Sequence, residues 1–328
     1  MFKITSEKNS SALPFFLSSA LAAAAAFFPW GKFLTFRLPD HLQDGLTIFF
    51  GILIEALPFV VLGVTVSILI QRFVTADRLQ RFLPKSPLLA FPVVSLLGMV
   101  FPVCECGNQP VARQLMRQGM RPSHAITFLL GAPILNPIVM ISTFVAFRYS
   151  PALVAARFIL GFLVAVLVGI YFYYRGDSDI TTAEIEDPEH CHPDHNHGGV
   201  NHFVTELTEM LGALAVGAII AAVVQIYIPR SMLLGLGSSP MAAIAVMMGL
   251  ALIVSLCSTV DAFFALSFSS TFSSSSLLAF LVFGPMIDFR ALSLLSRSFK
   301  PRAIVTMTVL VAELVFVSTL LLHHWGIV

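Results

Sequence analysis

Two thiols one residue apart, Cys104 and Cys106, flank the carboxylate of Glu105, and Asn108 follows two residues later. As thiolates the pair would hold a soft metal or metalloid in preference to a hard ion such as magnesium, and Glu105 would add an oxygen donor. Gly107 and Pro110 interrupt regular structure at the same place. The segment follows directly on an apolar run at residues 88–103. A polar, helix-breaking segment is costly in hydrocarbon and persists where protein or a water-filled cavity surrounds it. Residues 104–110 are therefore a candidate transport site. The plain alternative is that small thiols fill space at the tip of a hairpin.

A second break lies at residues 131–137, with Pro133, Asn136 and Pro137. Prolines so close together remove backbone donors and leave carbonyls free, so Pro133 and Asn136 join the site-lining candidates; the alternative role for Asn136 is to cap the broken helix. Later in the chain, Cys257 sits in a polar run at 255–261, and Asp288 follows Pro285. Four carboxylates, Glu55, Glu105, Asp261 and Asp288, fall in apolar surroundings. Such groups suit proton coupling, for which Asp261, Asp288 and Glu55 are the candidates, with a hydrogen bond between helices as the alternative. Arg157 and Glu313 are expected to form a structural ion pair across spans. A separate tract holds His190, Cys191, His192, His195 and His197. Its donors suit zinc-like ions, but the spacing matches no closed structural zinc site; it reads as an ion-capturing loop or a solvated linker. No resident cofactor is implied.

The frame for these residues is a membrane. Of 328 residues 57% are hydrophobic and 11% charged, where a soluble domain carries about 25% charged. The net charge of +1 argues against a nucleic-acid partner. Four cysteines make no disulfide framework. Residues 1–44 hold a first apolar stretch, read as a retained helix rather than a signal peptide. Residues 45–175 and 203–328 form two halves joined by an acidic, His-rich linker at 176–202, placed in the cytoplasm. Arg72, Arg78, Arg81 and Lys85 mark a cytoplasmic loop. Arg113, Arg117 and Arg121 return to that side if residues 88–119 form a re-entrant hairpin. Landmarks recur at an offset of about 150 residues: Gly63 and Gln71 with Gly217 and Gln225, Cys106 with Cys257, Pro133 and Asn136 with Pro285 and Asp288. The expected fold is an all-α polytopic membrane protein. It has two pseudo-symmetric, inverted repeats, each of three spanning helices plus a re-entrant hairpin, after one extra N-terminal helix. Were both hairpins to span, the repeats would be parallel.

With Cys104, Glu105, Cys106 and Gly107 followed by the Gly131 to Pro137 motif, the chain resembles a bacterial predicted-permease family that includes exporters of trivalent organoarsenicals. The resemblance covers both halves and is strongest at residues 101–137. It implies a multi-pass permease of the inner (plasma) membrane that extrudes a thiol-seeking metalloid. Its partners would be the lipid bilayer and a small metal or metalloid substrate, and a homodimer suits a bundle this small. Glu105 stands where the family pattern has a small residue, and Asn108 with Gln109 is more polar than that pattern. A carboxylate beside two thiols favours a cation over a neutral arsenical. The rival readings are a permease for another small solute or a divalent cation, with incidental cysteines, and a non-transporting metal-sensing scaffold. An enzyme is disfavoured, because no nucleophile–base pair or metal triad falls within one span.

Overall fold

Proline starts helix after helix along this chain, because its fixed φ fits the first turn and its missing N–H is not needed there. The computed structural model describes residues 40–73, 84, 86–99, 105–176, 180–182, 199–227 and 239–326. The elements are α1 (Asp40–Phe73), α2 (Pro87–Leu96, continued by a 3-10 turn at Leu97–Met99), α3 (Glu105–Arg117), α4 (Pro122–Leu135), α5 (Pro137–Ala146) and α6 (Pro151–Arg175). They continue as α7 (Gly199–Tyr227), α8 (Pro240–Val254), α9 (Asp261–Leu266), α10 (Ser274–Met286), α11 (Phe289–Leu295) and α12 (Pro301–His324). Among the described residues the one departure from helix and turn is an isolated antiparallel bridge between Thr181 and Phe299. Residues 44–328 form one compact unit, and residues 40–43, the described part of the other, begin α1.

Among the described residues, six helical segments are long and apolar enough to cross a bilayer: 42–71, 122–146, 151–175, 203–227, 274–295 and 301–324. The all-α polytopic fold expected from the sequence is thus present. The extra N-terminal helix and residues 183–198 of the His-rich linker lie outside the described residues, whereas the end of that linker, from Gly199, already belongs to α7. Helices α2 and α8 are different. At 1.5 Å per residue they rise only about 20 Å, well short of the roughly 30 Å hydrocarbon core. Both α2 and α3 pack against α4.

The first segments of the two broken helices, α4 and α10, occupy the centre. Every residue from Ser123 to Leu135 of α4 is buried, and so is nearly all of α10. Ile54, Ile141, Ile159 and Val305 are exposed on the outer helices, an apolar exterior that suits lipid. The breaks have local causes. Asn136 precedes Pro137, which disfavours the helical conformation for it; its backbone is extended (φ −62°, ψ 130°), and its side chain accepts from the Ile138 amide at 2.9 Å to restart the helix. Asp288 does the same for α11, extended at φ −139°, ψ 172°, and accepts from the Ala291 amide at 2.6 Å.

Helix pairings recur between the halves. The contacts of α2 with α4, α4 with α6 and α2 with α6 reappear as α8 with α10, α10 with α12 and α8 with α12. Across the halves, α3 packs on α11 while α9 packs on α5. In each case a short helix of one half meets the second segment of the other half's broken helix.

Candidate transport site

The site is built where α3 meets α11. Helix α3 begins with Glu105 and is buried from Glu105 through Met116, although Glu105, Asn108, Gln109, Arg113 and Gln114 are polar. Such a helix would lie on the surface of a soluble protein. Here its polar groups must be paired by protein, since unpaired polar atoms are costly away from water. Gly63 on α1 makes the close packing of α3 feasible: a Cβ there would overlap the carbonyl oxygen of Gly107. Gly217 on α7 serves α11 likewise, because a Cβ would come within 2.9 Å of the Arg290 Cα.

Arg290, in the first turn of α11, is 1% exposed and organises the charges. Its Nη2 donates to Glu105 Oε1 at 3.1 Å and its Nε to Asp288 Oδ2 at 3.0 Å. Ser258, from the turn before α9, reaches Glu105 Oε2 at 3.5 Å. Two carboxylates thus share one guanidinium. If both are ionised, one negative charge is left over in a region screened from water. Cys106 and Cys257, both buried thiols, lie in one cluster with Val60, Val64, Met210 and Leu294. Thr259 Oγ1 donates to Cys257 Sγ at 3.5 Å. Beside Glu105 and Gln109 runs a narrow crevice, also lined by Leu129, Pro285, Met286 and Met307, with room for about one water molecule. Gln109 Oε1 is buried there without a hydrogen-bond partner. Among the described residues no three His, Cys, Asp or Glu side chains converge as a ready-made metal site.

The structure therefore brings Glu105, Cys106, Cys257 and Asp288 together, from α3, the turn before α9 and the start of α11. Asn108 is buried on the same helix. Pro133 lies inside α4, and Asn136 caps α5, which faces α9 rather than α3. Asp261 belongs to a second group on that side. Arg157 Nη2 donates to Asp261 Oδ2 at 2.6 Å and Nη1 to Thr143 Oγ1 at 2.7 Å, with Arg157 fully buried. The expected pairing of Arg157 with Glu313 is overturned, since Glu313 is exposed on α12. Glu55 is half-buried on α1, apart from both groups. Cys104, His190, Cys191, His192, His195 and His197 lie outside the described residues.

Sequence reasoning missed Arg290 and the partner of Arg157. A signal was available: an arginine inside an apolar run has to find a carboxylate. It also missed Glu206, which is 5% exposed and accepts from Ser67 Oγ at 3.2 Å, and the Arg113–Glu209 ion pair at 2.9 Å.

With this geometry in hand, comparison with known proteins is decisive at the level of family. Residues 41–324 match the ArsP_1 family model, described as a predicted permease. The chain belongs to this permease family. The UPF0718 protein YcgR of Bacillus subtilis (strain 168) is 40% identical over 282 residues, 84% of this chain and 95% of that protein. A Streptococcus mutans protein described as a putative two-component membrane permease complex subunit is 37% identical over 276 residues, 82% of this chain and 91% of the relative. The UPF0718 protein YraQ of Escherichia coli (strain K12) is 31% identical over 108 residues, covering 33% of the chain and 31% of that protein. No solved structure matches. The permease is a multi-pass integral protein of the plasma membrane, and its family supports a transporter role.

Proposed function

We propose that the permease exports a thiophilic metal or metalloid species, a trivalent organoarsenical being the case that the sequence resemblance implies. The observation that carries this reading is the meeting of Cys106 and Cys257, thiols from separate hairpins, in one buried cluster beside Glu105 and Asp288. Soft sulfur donors select thiophilic ions, and the two carboxylates around one guanidinium favour a positively charged species. Cys104, one residue before Glu105 in the sequence, would supply a third thiol. Because no closed donor set is present among the described residues, the ion is cargo that gathers its ligands in transit. The recurrence of helix pairings in the two halves supports inverted repeats that rock about this site to alternate access.

Proton antiport drives the cycle in this reading, with Asp261 or Asp288 as relay and Glu55 as a further acceptor. Protonating Asp261 would release Arg157, and protonating Asp288 would loosen Arg290. The tract His190, Cys191, His192, His195 and His197 would collect ions before entry. The description of the Streptococcus relative as a complex subunit supports a second reading about assembly: the permease works with another membrane subunit rather than as a homodimer.

The test is efflux. A deletion strain should become sensitive to arsenicals, antimonials or cadmium. Everted vesicles carrying the wild type should accumulate the same species, and Cys106→Ser or Cys257→Ser should abolish this while leaving the protein folded. Full uptake by both cysteine variants would end the thiophilic reading.

A further inference from the structure

Helix α12 presents two ridges. Ala303, Met307, Val311, Val315 and Thr319, spaced by four residues, are buried against the bundle. Offset by two residues, Val305, Val309, Glu313, Val317 and Leu321 run along the opposite side and are exposed. This span buries the smallest share of its length among the six, 22% against 78% for the segment at 274–295. Its outer ridge is apolar at every position but the middle one. Glu313 stands at the centre of the span, where lipid cannot solvate a carboxylate.

We propose that the outer ridge of α12 is the docking surface for a spanning helix of a second, different membrane protein, one that sets a lysine, arginine or histidine opposite Glu313. The inference rests on the assembly reading above and names its surface. Charge complementarity selects the occupant. A lone carboxylate inside an apolar ridge fixes depth and register for one cationic partner, as single polar groups do in helix pairs. A second copy of this chain does not supply that partner from its described spans: Arg157 and Arg290 are buried and already paired, and His124, Arg175, Arg302, His323 and His324 stand at the ends of their spans, away from the depth of Glu313. Val305, Val309 and Val317 give the β-branched apolar surface on which such a helix packs without losing much side-chain freedom.

The experiment is photocrosslinking in the native host membrane, with a crosslinking amino acid at Val309 or Val317 and a control at Ile159 on the outer face of α6. The expected product is one hetero-adduct from the α12 positions alone. Mass spectrometry should identify it as a polytopic protein with a basic residue inside a span. Glu313→Leu should reduce the adduct at least tenfold, whereas Glu313→Asp should retain it. An adduct of twice the chain mass, no adduct at all, or a hetero-adduct indifferent to Glu313→Leu would each overturn the proposal. In the last case the second subunit survives and only its docking surface falls. Because Glu313 touches nothing in the core, its replacement should leave the monomer's fold intact, which size-exclusion of the detergent-purified variant checks.

Discussion

Arg290 offers the sharpest test of how the site is held together. Replacing it with methionine keeps much of the side-chain volume but removes the shared cation. Glu105 and Asp288, 6% and 1% exposed, would then face each other across a region screened from water. Removing one member of a buried pair costs about 3–5 kcal/mol, because the survivor keeps its desolvation penalty without its partner. Here there are two survivors, so Arg290→Met should fall at the upper end of that range. Glu105→Gln is the informative contrast. It leaves Arg290 bonded to Asp288 at 3.0 Å and removes the excess negative charge, so its cost should stay below about 1 kcal/mol. The double variant Arg290→Met with Glu105→Gln should recover about 1–3 kcal/mol relative to Arg290→Met alone. Reversible denaturation in mixed micelles, or thermal melting followed by size-exclusion, reads all three. The reasoning fails if Glu105→Gln is more damaging than Arg290→Met, or if the double variant is no better than the single arginine change.

Three further outcomes follow from the same geometry. Asn136→Ala should lose about 0.5–2 kcal/mol by removing the cap on the Ile138 amide, while Asn136→Asp keeps it, as paired denaturation curves would register. Gly63→Ala should force α1 off α3, since the new methyl overlaps backbone rather than a movable side chain; a lowered melting temperature and a loss of flux should appear together. Replacing both Arg157 and Asp261 by methionine and leucine should leave stability unchanged or raised by about 1–4 kcal/mol, because apolar packing often outdoes a buried ion pair. Either single change should destabilise the fold, and melting curves of the three variants decide.

Much of the frame could be read from residue order alone. Long apolar runs predicted the spans. Paired Pro and Asn marked one broken helix, and Pro with Asp marked the other. What escaped was partnership. Arg290 and Glu105 are 185 residues apart, and no local pattern ties them. Glu313 was assigned to Arg157 because both stand in apolar helices. Yet both ridges of α12 are apolar, as bundle core and lipid ask for the same side chains. Hydrophobic periodicity, which would orient the helix in water, is silent here. The choice of Asp261 for Arg157 is made by the packing of α9 against α5, which only tertiary structure reveals.

The placing of charge in this permease follows a rule that a soluble fold would reverse. Its exterior is apolar, and the most polar helix, α3, is buried from its first residue to its twelfth. A fold selected for stability alone would fill that space with leucine, since buried ion pairs seldom outperform close apolar packing. The two buried arginines also tie the halves together reciprocally. Arg290 of the second half holds the carboxylate that begins α3, and Arg157 of the first half holds the one that begins α9. Both bonds join the start of a short helix to the opposite half, so any displacement of one half against the other would strain both at once. Hydrophobic contacts resist such sliding weakly and without direction, whereas an ion pair with one geometry favours discrete positions. The charges are therefore better explained as latches that define where the halves stop than as glue that keeps them folded.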